Sequence, residues 1–180
     1  MRIIPKSTPQ AKVREIAKLI PKNIAENYSV VIVGVRGYYL DTMGEKGKND
    51  RGIYDDAIFV IAPDCFVAFN ANTDPSVFRR NVSSLKPGTH FYRKGRHKIN
   101  SPNGYPAFRP ATKDEGLPVT RDGVGDSIGY AINIHKGSNT STSSLGCQTI
   151  PPAQWDSFRS VTYLQMDKYG QKIIPYILTA

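Results

Sequence analysis

Two side chains separated by eleven residues, His135 and Cys147, carry the most evident chemical potential in this 180-residue chain. They sit in the segment Gly129 to Pro152, GYAINIHKGSNTSTSSLGCQTIPP. A cysteine thiol with its ordinary pKa of about 8.5 is mostly protonated at neutral pH, and an adjacent imidazole that takes the proton leaves a thiolate-imidazolium pair able to attack a carbonyl. Backbone N–H groups at Gly146 and Cys147 would then stabilise the oxyanion, and glycine at 146 would let the backbone approach a substrate closely. The same spacing equally fits a buried imidazole and an inert core thiol. The three histidines, His90, His97 and His135, have no partner at zinc-finger spacing, so no metal and no cofactor is expected.

These residues need elements to hold them. Tyr130, Ile132 and Ile134 alternate with Ala131, Asn133 and His135, which predicts a strand that buries the first set and places Asn133 and His135 together on the other face. Nine of the eleven residues between His135 and Cys147 are Gly, Ser, Thr or Asn, the composition of a polar folded loop that returns Cys147 toward His135. Further upstream, Val30 to Val35, Ala57 to Ala62 and Phe66 to Phe69 read as short strands, with Pro63-Asp64-Cys65 as a hairpin turn. Turns are also expected at Asn72 to Pro75, Pro87-Gly88, Ser101 to Pro106 and Asp122 to Gly125. Thr8-Pro9 reads as a helix start, followed by Val13, Ile16, Ala17 and Ile20 on one face and a stop at Pro21. The acidic, glycine-containing stretch Asp41 to Asp56 lacks EF-hand spacing and is read as a polar loop. Residues 1–27 are thus a helical segment preceding one mainly β unit over 28–180.

The elements Ile134-His135, Gly137 and Ser144-Leu145-Gly146-Cys147 resemble the His-x-Gly and Ser-x-Gly-Cys signature of the YkuD-type L,D-transpeptidase catalytic domain, in a phage endolysin-like branch. The resemblance implies a β-sandwich or barrel-like fold with Cys147 as nucleophile and His135 as its base. It also implies that the Lys136 carbonyl orients the imidazole, with Asn133 as the competing orienter from the same strand face. Two positions depart from the family: Lys136 stands where glycine is common, and Thr149 where an arginine commonly follows the cysteine. Arg121, in the turn Thr120-Arg121-Asp122-Gly123, is the candidate replacement for that arginine, or simply a turn residue paired with Asp122. Ser144 and Gly137 complete the expected substrate-binding set.

That family attacks the carbonyl of the third residue of the peptidoglycan stem peptide, giving an acyl-enzyme that meets an amine or water. The expected activity is a murein cysteine peptidase of lysin type. The alternatives are a cross-linking transpeptidase and a catalytically silent basic module that binds murein or nucleic acid. With 24 Lys and Arg against 15 Asp and Glu, the net charge of +9 favours an anionic cell envelope as partner. The cluster Arg93, Lys94, Arg96, His97 and Lys98 follows Phe91 and Tyr92, but no recognised nucleic-acid module surrounds it. The first residues lack the apolar core of a secretory signal, which predicts synthesis in a host cytoplasm and action on murein in the periplasm. No stretch reaches the roughly 18 apolar residues of a membrane span.

Overall fold

The computed structural model describes residues 2–180. Eleven strands dominate it: β1 (Val31–Val35), β2 (Asp56–Ala62), β3 (Cys65–Ala71), β4 (Ser83–Leu85), β5 (Gly88–His97), β6 (Tyr105–Pro110), β7 (Gly116–Arg121), β8 (Gly125–Tyr130), β9 (Ile134–Lys136), β10 (Gln148–Ile150) and β11 (Ile173–Thr179). Eight form one sheet in the order β10-β9-β6-β5-β11-β1-β2-β3, and β4-β7-β8 form a second. The large sheet curls until its two edge strands nearly meet, and Asn72, just past β3, exchanges both backbone hydrogen bonds with Thr149 of β10 at 2.9 and 2.8 Å. The fold is therefore mainly β and barrel-like. Such closure removes most of the open edge that would otherwise invite pairing with other chains.

The alternation of β1 shows how the sheet is sided. Val30 and Ile32 enter the interior with Ile58, Tyr92, Phe108, Ile134, Phe158 and Tyr176. Val31 and Val33 face outward onto a second, smaller core that includes Ile16 and Ile24 of the N-terminal helices. Gly34 is required here because a Cβ would lie 2.3 Å from the Tyr176 hydroxyl.

The N-terminal segment forms two short helices, α1 (Val13–Ala17) and α2 (Lys22–Asn27), instead of one helix starting at Thr8. Pro21 precedes the second helix, where its fixed φ and missing N–H suit the first turn. A 17-residue helix, α3 (Pro152–Lys168), has no counterpart in the sequence expectations above. Its signals were present: Pro152 in its first turn, then Trp155, Phe158, Thr162 and Met166 buried at helical spacing. It covers β3, β9 and β10 and thereby backs the strands that carry His135 and Cys147.

Two further expectations are corrected. The strand expected through Tyr130 and His135 breaks at Ala131, which has φ 53°, and Tyr130 is 63% exposed. The loop at Asp41 to Asp56 ends in two carboxylates, Asp55 and Asp56, that are fully buried. Among the described residues, no helix is long and apolar enough to cross a membrane.

Candidate active site

The strands β9 and β10 run parallel, with Gln148 beside Ile134 and Thr149 beside His135. The sequence suggests a simple hairpin return, but the eleven residues 137–147 make a crossover that brings both strands to the same end. Gln148 N–H donates to the Asn133 carbonyl at 2.9 Å, which makes Cys147 the lateral neighbour of Asn133. Gln148 and Ile134 point into the barrel, where the Tyr176 hydroxyl donates to Gln148 Oε1 at 2.9 Å. Because alternate strand residues point to opposite faces, Cys147 and His135 emerge together on the other one.

The crossover is held at several points. Tyr54 is fully buried, and its hydroxyl donates to the Ser138 carbonyl at 2.8 Å while accepting Ser138 N–H at 3.0 Å. Gly137 makes room for this hydroxyl, since a Cβ there would lie 2.1 Å from it. Ser144 is buried, accepts Gly146 N–H at 3.0 Å and donates to the Cys147 carbonyl at 2.7 Å. Ser76 clasps the loop from β3's side through Ser144 N–H and carbonyl, both at 2.8 Å. From below, Gln148 Nε2 donates to the Gly146 carbonyl at 3.1 Å.

Several expected roles change as a result. Gly137 and Ser144 shape the loop through contacts within the protein. Gly146 has φ 135°, and a Cβ there would come within 2.7 Å of the Ser83 carbonyl, so its smallness serves packing against β4. Its N–H is taken by Ser144, which removes it from the oxyanion hole. The Cys147 N–H has no partner among the described residues and remains available. Arg121 is tied to the small sheet through Asn81, Ser127 and Ile128, and Asp122 pairs with Arg51 at 2.9 Å instead.

His135 is 3% exposed, and its Nδ1 lies 2.8 Å from the Lys136 carbonyl. That carbonyl can only accept, so Nδ1 carries the hydrogen and Nε2 keeps a bare lone pair. The Tyr105 hydroxyl donates to the same carbonyl at 3.2 Å. Asn133 does not orient His135; its Nδ2 reaches His97 Nδ1 at 3.2 Å. The His97 ring stacks on His135 with centroids 3.9 Å apart and planes 17° apart.

Electrostatics at rest favour neutral groups. Burial, then the His97 ring and Lys98, push His135 down to about 3 against the opposing Lys136 carbonyl bond. Cys147 is partly buried, with its thiol 3.5 Å from the Ala131 carbonyl. Burial pushes it up to about 11, over the opposing pull of the Asn133 backbone N–H and the Arg109 guanidinium. At rest, therefore, both the thiol and the imidazole are uncharged.

Arg109 and Tyr105 were not singled out by sequence and His97 was read only as a member of the basic cluster, because all three arrive from the β5–β6 hairpin and no spacing along the chain links them to Cys147. Arg109 is held by Glu115, with Nε to Oε1 at 2.7 Å. The cluster Arg93 to Lys98 is likewise dispersed by strand alternation: Arg93 pairs with Glu115, Lys94 with Asp167, and His97 turns into the site. A groove of about 460 Å³ is lined by His97, Lys98, Ile99, Arg109, Ala131 and Asn133. The roomier hollow of about 560 Å³ beside Tyr39 and Met43 is lined by neither cysteine nor histidine.

Among the described residues, no group of three His, Cys, Asp or Glu side chains is arranged to hold a metal ion. Cys65 and Cys147 are both free thiols. No protein-family model, curated protein or solved structure matches the chain.

Proposed function

We propose that the protein is a cysteine peptidase that hydrolyses the stem peptides of bacterial peptidoglycan through an acyl-enzyme on Cys147, at the bond after the third residue. The observation that carries this reading is the parallel pairing of β9 and β10, which sets Cys147 and His135 on one face with His135 Nε2 bare and Cys147 N–H free. The peptidoglycan substrate rests on the motif resemblance and on the charge of +9, which draws the protein to an anionic envelope.

As Sγ attacks the carbonyl carbon, the thiol proton passes to His135 Nε2 and the carbonyl π pair moves to oxygen, next to the Cys147 N–H. Collapse of the tetrahedral intermediate breaks the C–N bond, and the imidazolium returns the proton to the departing amine. Water then attacks the thioester, giving its proton to His135, and the sulfur leaves to recover that proton as a thiol. A concerted first step fits a site in which a standing thiolate is disfavoured, because charge then develops only when an oxyanion donor and the imidazole can both stabilise it.

Mass spectrometry of fragments released from intact sacculi tests this reading. Soluble stem fragments whose mass places the break after the third residue are expected with the native chain and absent with Cys147→Ala. Higher-mass cross-linked products without net cleavage would replace hydrolysis by transpeptidation. Sacculus binding without any product from the native chain would leave a binding module.

A further inference from the structure

The sequence holds three histidines, and the structure stacks two of them. His90 is bound to the Lys86 carbonyl at 2.8 Å, inside the fold. His97, the last residue of β5, instead lies face to face with His135 at 3.9 Å. Its Nδ1 is 3.2 Å from the Asn133 side-chain amide, which holds the ring at its edge. The stack thus joins a ring tied to the Asn133 amide with one tied to the Lys136 carbonyl.

We propose that His97 is a positioning residue for His135, fixing the plane of the imidazole by stacking and restricting the ring pair to a single proton. This inference rests on the reading of His135 as the base for Cys147. Two parallel imidazoles at van der Waals distance cannot both be charged without strong repulsion. The surroundings supply no relief. Lys98 adjoins His97, Arg109 lines the same groove from β6, and Lys136 lies over the Tyr105 ring at 5.2 Å. The remaining titratable groups are Tyr105 of β6, whose hydroxyl is 3.3 Å from His135 Nδ1, and Cys147 from the β9–β10 side, neither an anion at neutral pH. Glu115, the carboxylate on this side, is shared by Arg109 and Arg93. Burial and the cations Lys98 and Arg109 push His97 itself down. The base stays unprotonated well into acid, and the proton it accepts from Cys147 is its own to return.

The test is the pH dependence of Cys147 carboxamidomethylation by iodoacetamide in the native chain, His97→Phe, His97→Ala and His135→Ala, followed by peptide mass spectrometry. In His97→Phe the flat ring keeps the stack but cannot charge, so the acid limb moves upward by about one pH unit with the plateau retained. Loss of the stack in His97→Ala lowers the plateau roughly tenfold. Profiles for both His97 variants that superimpose on the native one, with His135→Ala slowed, would overturn the role of His97 alone. A His135→Ala profile equal to the native one would remove the base and, with it, the proposed reaction. Imidazole ¹⁵N titration of the unmodified protein decides the matter without any variant: the two rings should take up protons in coupled steps. Independent titration of His97, with His135 signals unmoved, would overturn the proposal.

Discussion

Two of the places where the molecule buries titratable side chains are solved in opposite ways. In the acid basin, Asp55 and Asp56 are fully buried and Asp74 nearly so. Asp56 accepts N–H groups from Gly37 at 2.5 Å and Thr73 at 2.6 Å, while Asp74 sits 3.2 Å from the Arg36 guanidinium. Arg36 also spans to the Thr73 and Leu85 carbonyls at 2.8 and 3.0 Å. Its groups are spent on holding the β3 end of the seam. At the other end of the same seam, two residues beyond Cys147, Thr149 carries the bridge to Asn72. There the paired imidazoles and the thiol keep reactive atoms unspent: His135 Nε2 and the Cys147 N–H. Burial suppresses charge in both regions, but only the second holds a thiol and an imidazole on one sheet face.

The sharpest way to break this contrast is through the thiol. Cys147→Ala should cut peptide release by about a thousandfold or more while leaving the denaturant midpoint close to native, measured by fragment yield and urea unfolding. Arg36→Met should do the reverse. It leaves the Asp74 carboxylate buried without its cation, a loss of about 3–5 kcal/mol in unfolding free energy, with thiol alkylation unchanged in the molecules that remain folded.

Titration of the basin is a third test. Asp55 and Asp56 are pushed above the ordinary 3.8, first by burial and then by neighbouring carboxylates. The folded state therefore binds these protons more tightly than the unfolded chain does. Their contribution is complete below about pH 4 and is lost as pH rises through the raised values. Unfolding free energy should fall from pH 5 to pH 8, and Asp56→Asn should flatten that slope. The smallest expected effect is Ser144→Ala, which strips a bond from Gly146 N–H and another from the Cys147 carbonyl. It should cost about 1–2 kcal/mol and slow alkylation of Cys147 less than His135→Ala does.

Local patterns made much of this legible. The β2–β3 hairpin with its two-residue turn follows from apolar runs on either side of Pro63-Asp64, and the polar composition of 136–146 fits the folded connection between β9 and β10. The Lys136 carbonyl stands where the motif resemblance implied an orienter. What stayed hidden depended on distant partners. Ser144, Gly137 and Gly146 look like ligand contacts in a linear motif, but Ser76, Tyr54 and Ser83 claim them, from 83 residues away in the case of Tyr54 and Gly137. Arg109 and His97 reach the site only because β6 pairs with β9 and β5 with β6, an order no local period encodes. The missed helix α3 is a different failure, since Trp155, Phe158 and Thr162 do recur at helical spacing after a proline start.

The central claim is a covalent bond between Cys147 and the acyl half of a stem peptide, and intact-protein mass spectrometry after acid quench measures it directly. Incubation with a purified stem tetrapeptide should add the mass of the tripeptide acyl group to the native chain. Digestion should place that mass on the fragment containing Cys147, and Cys147→Ala should lack it. Peptide cleavage with no adduct at any quench time, or an adduct on Cys65, would contradict the account.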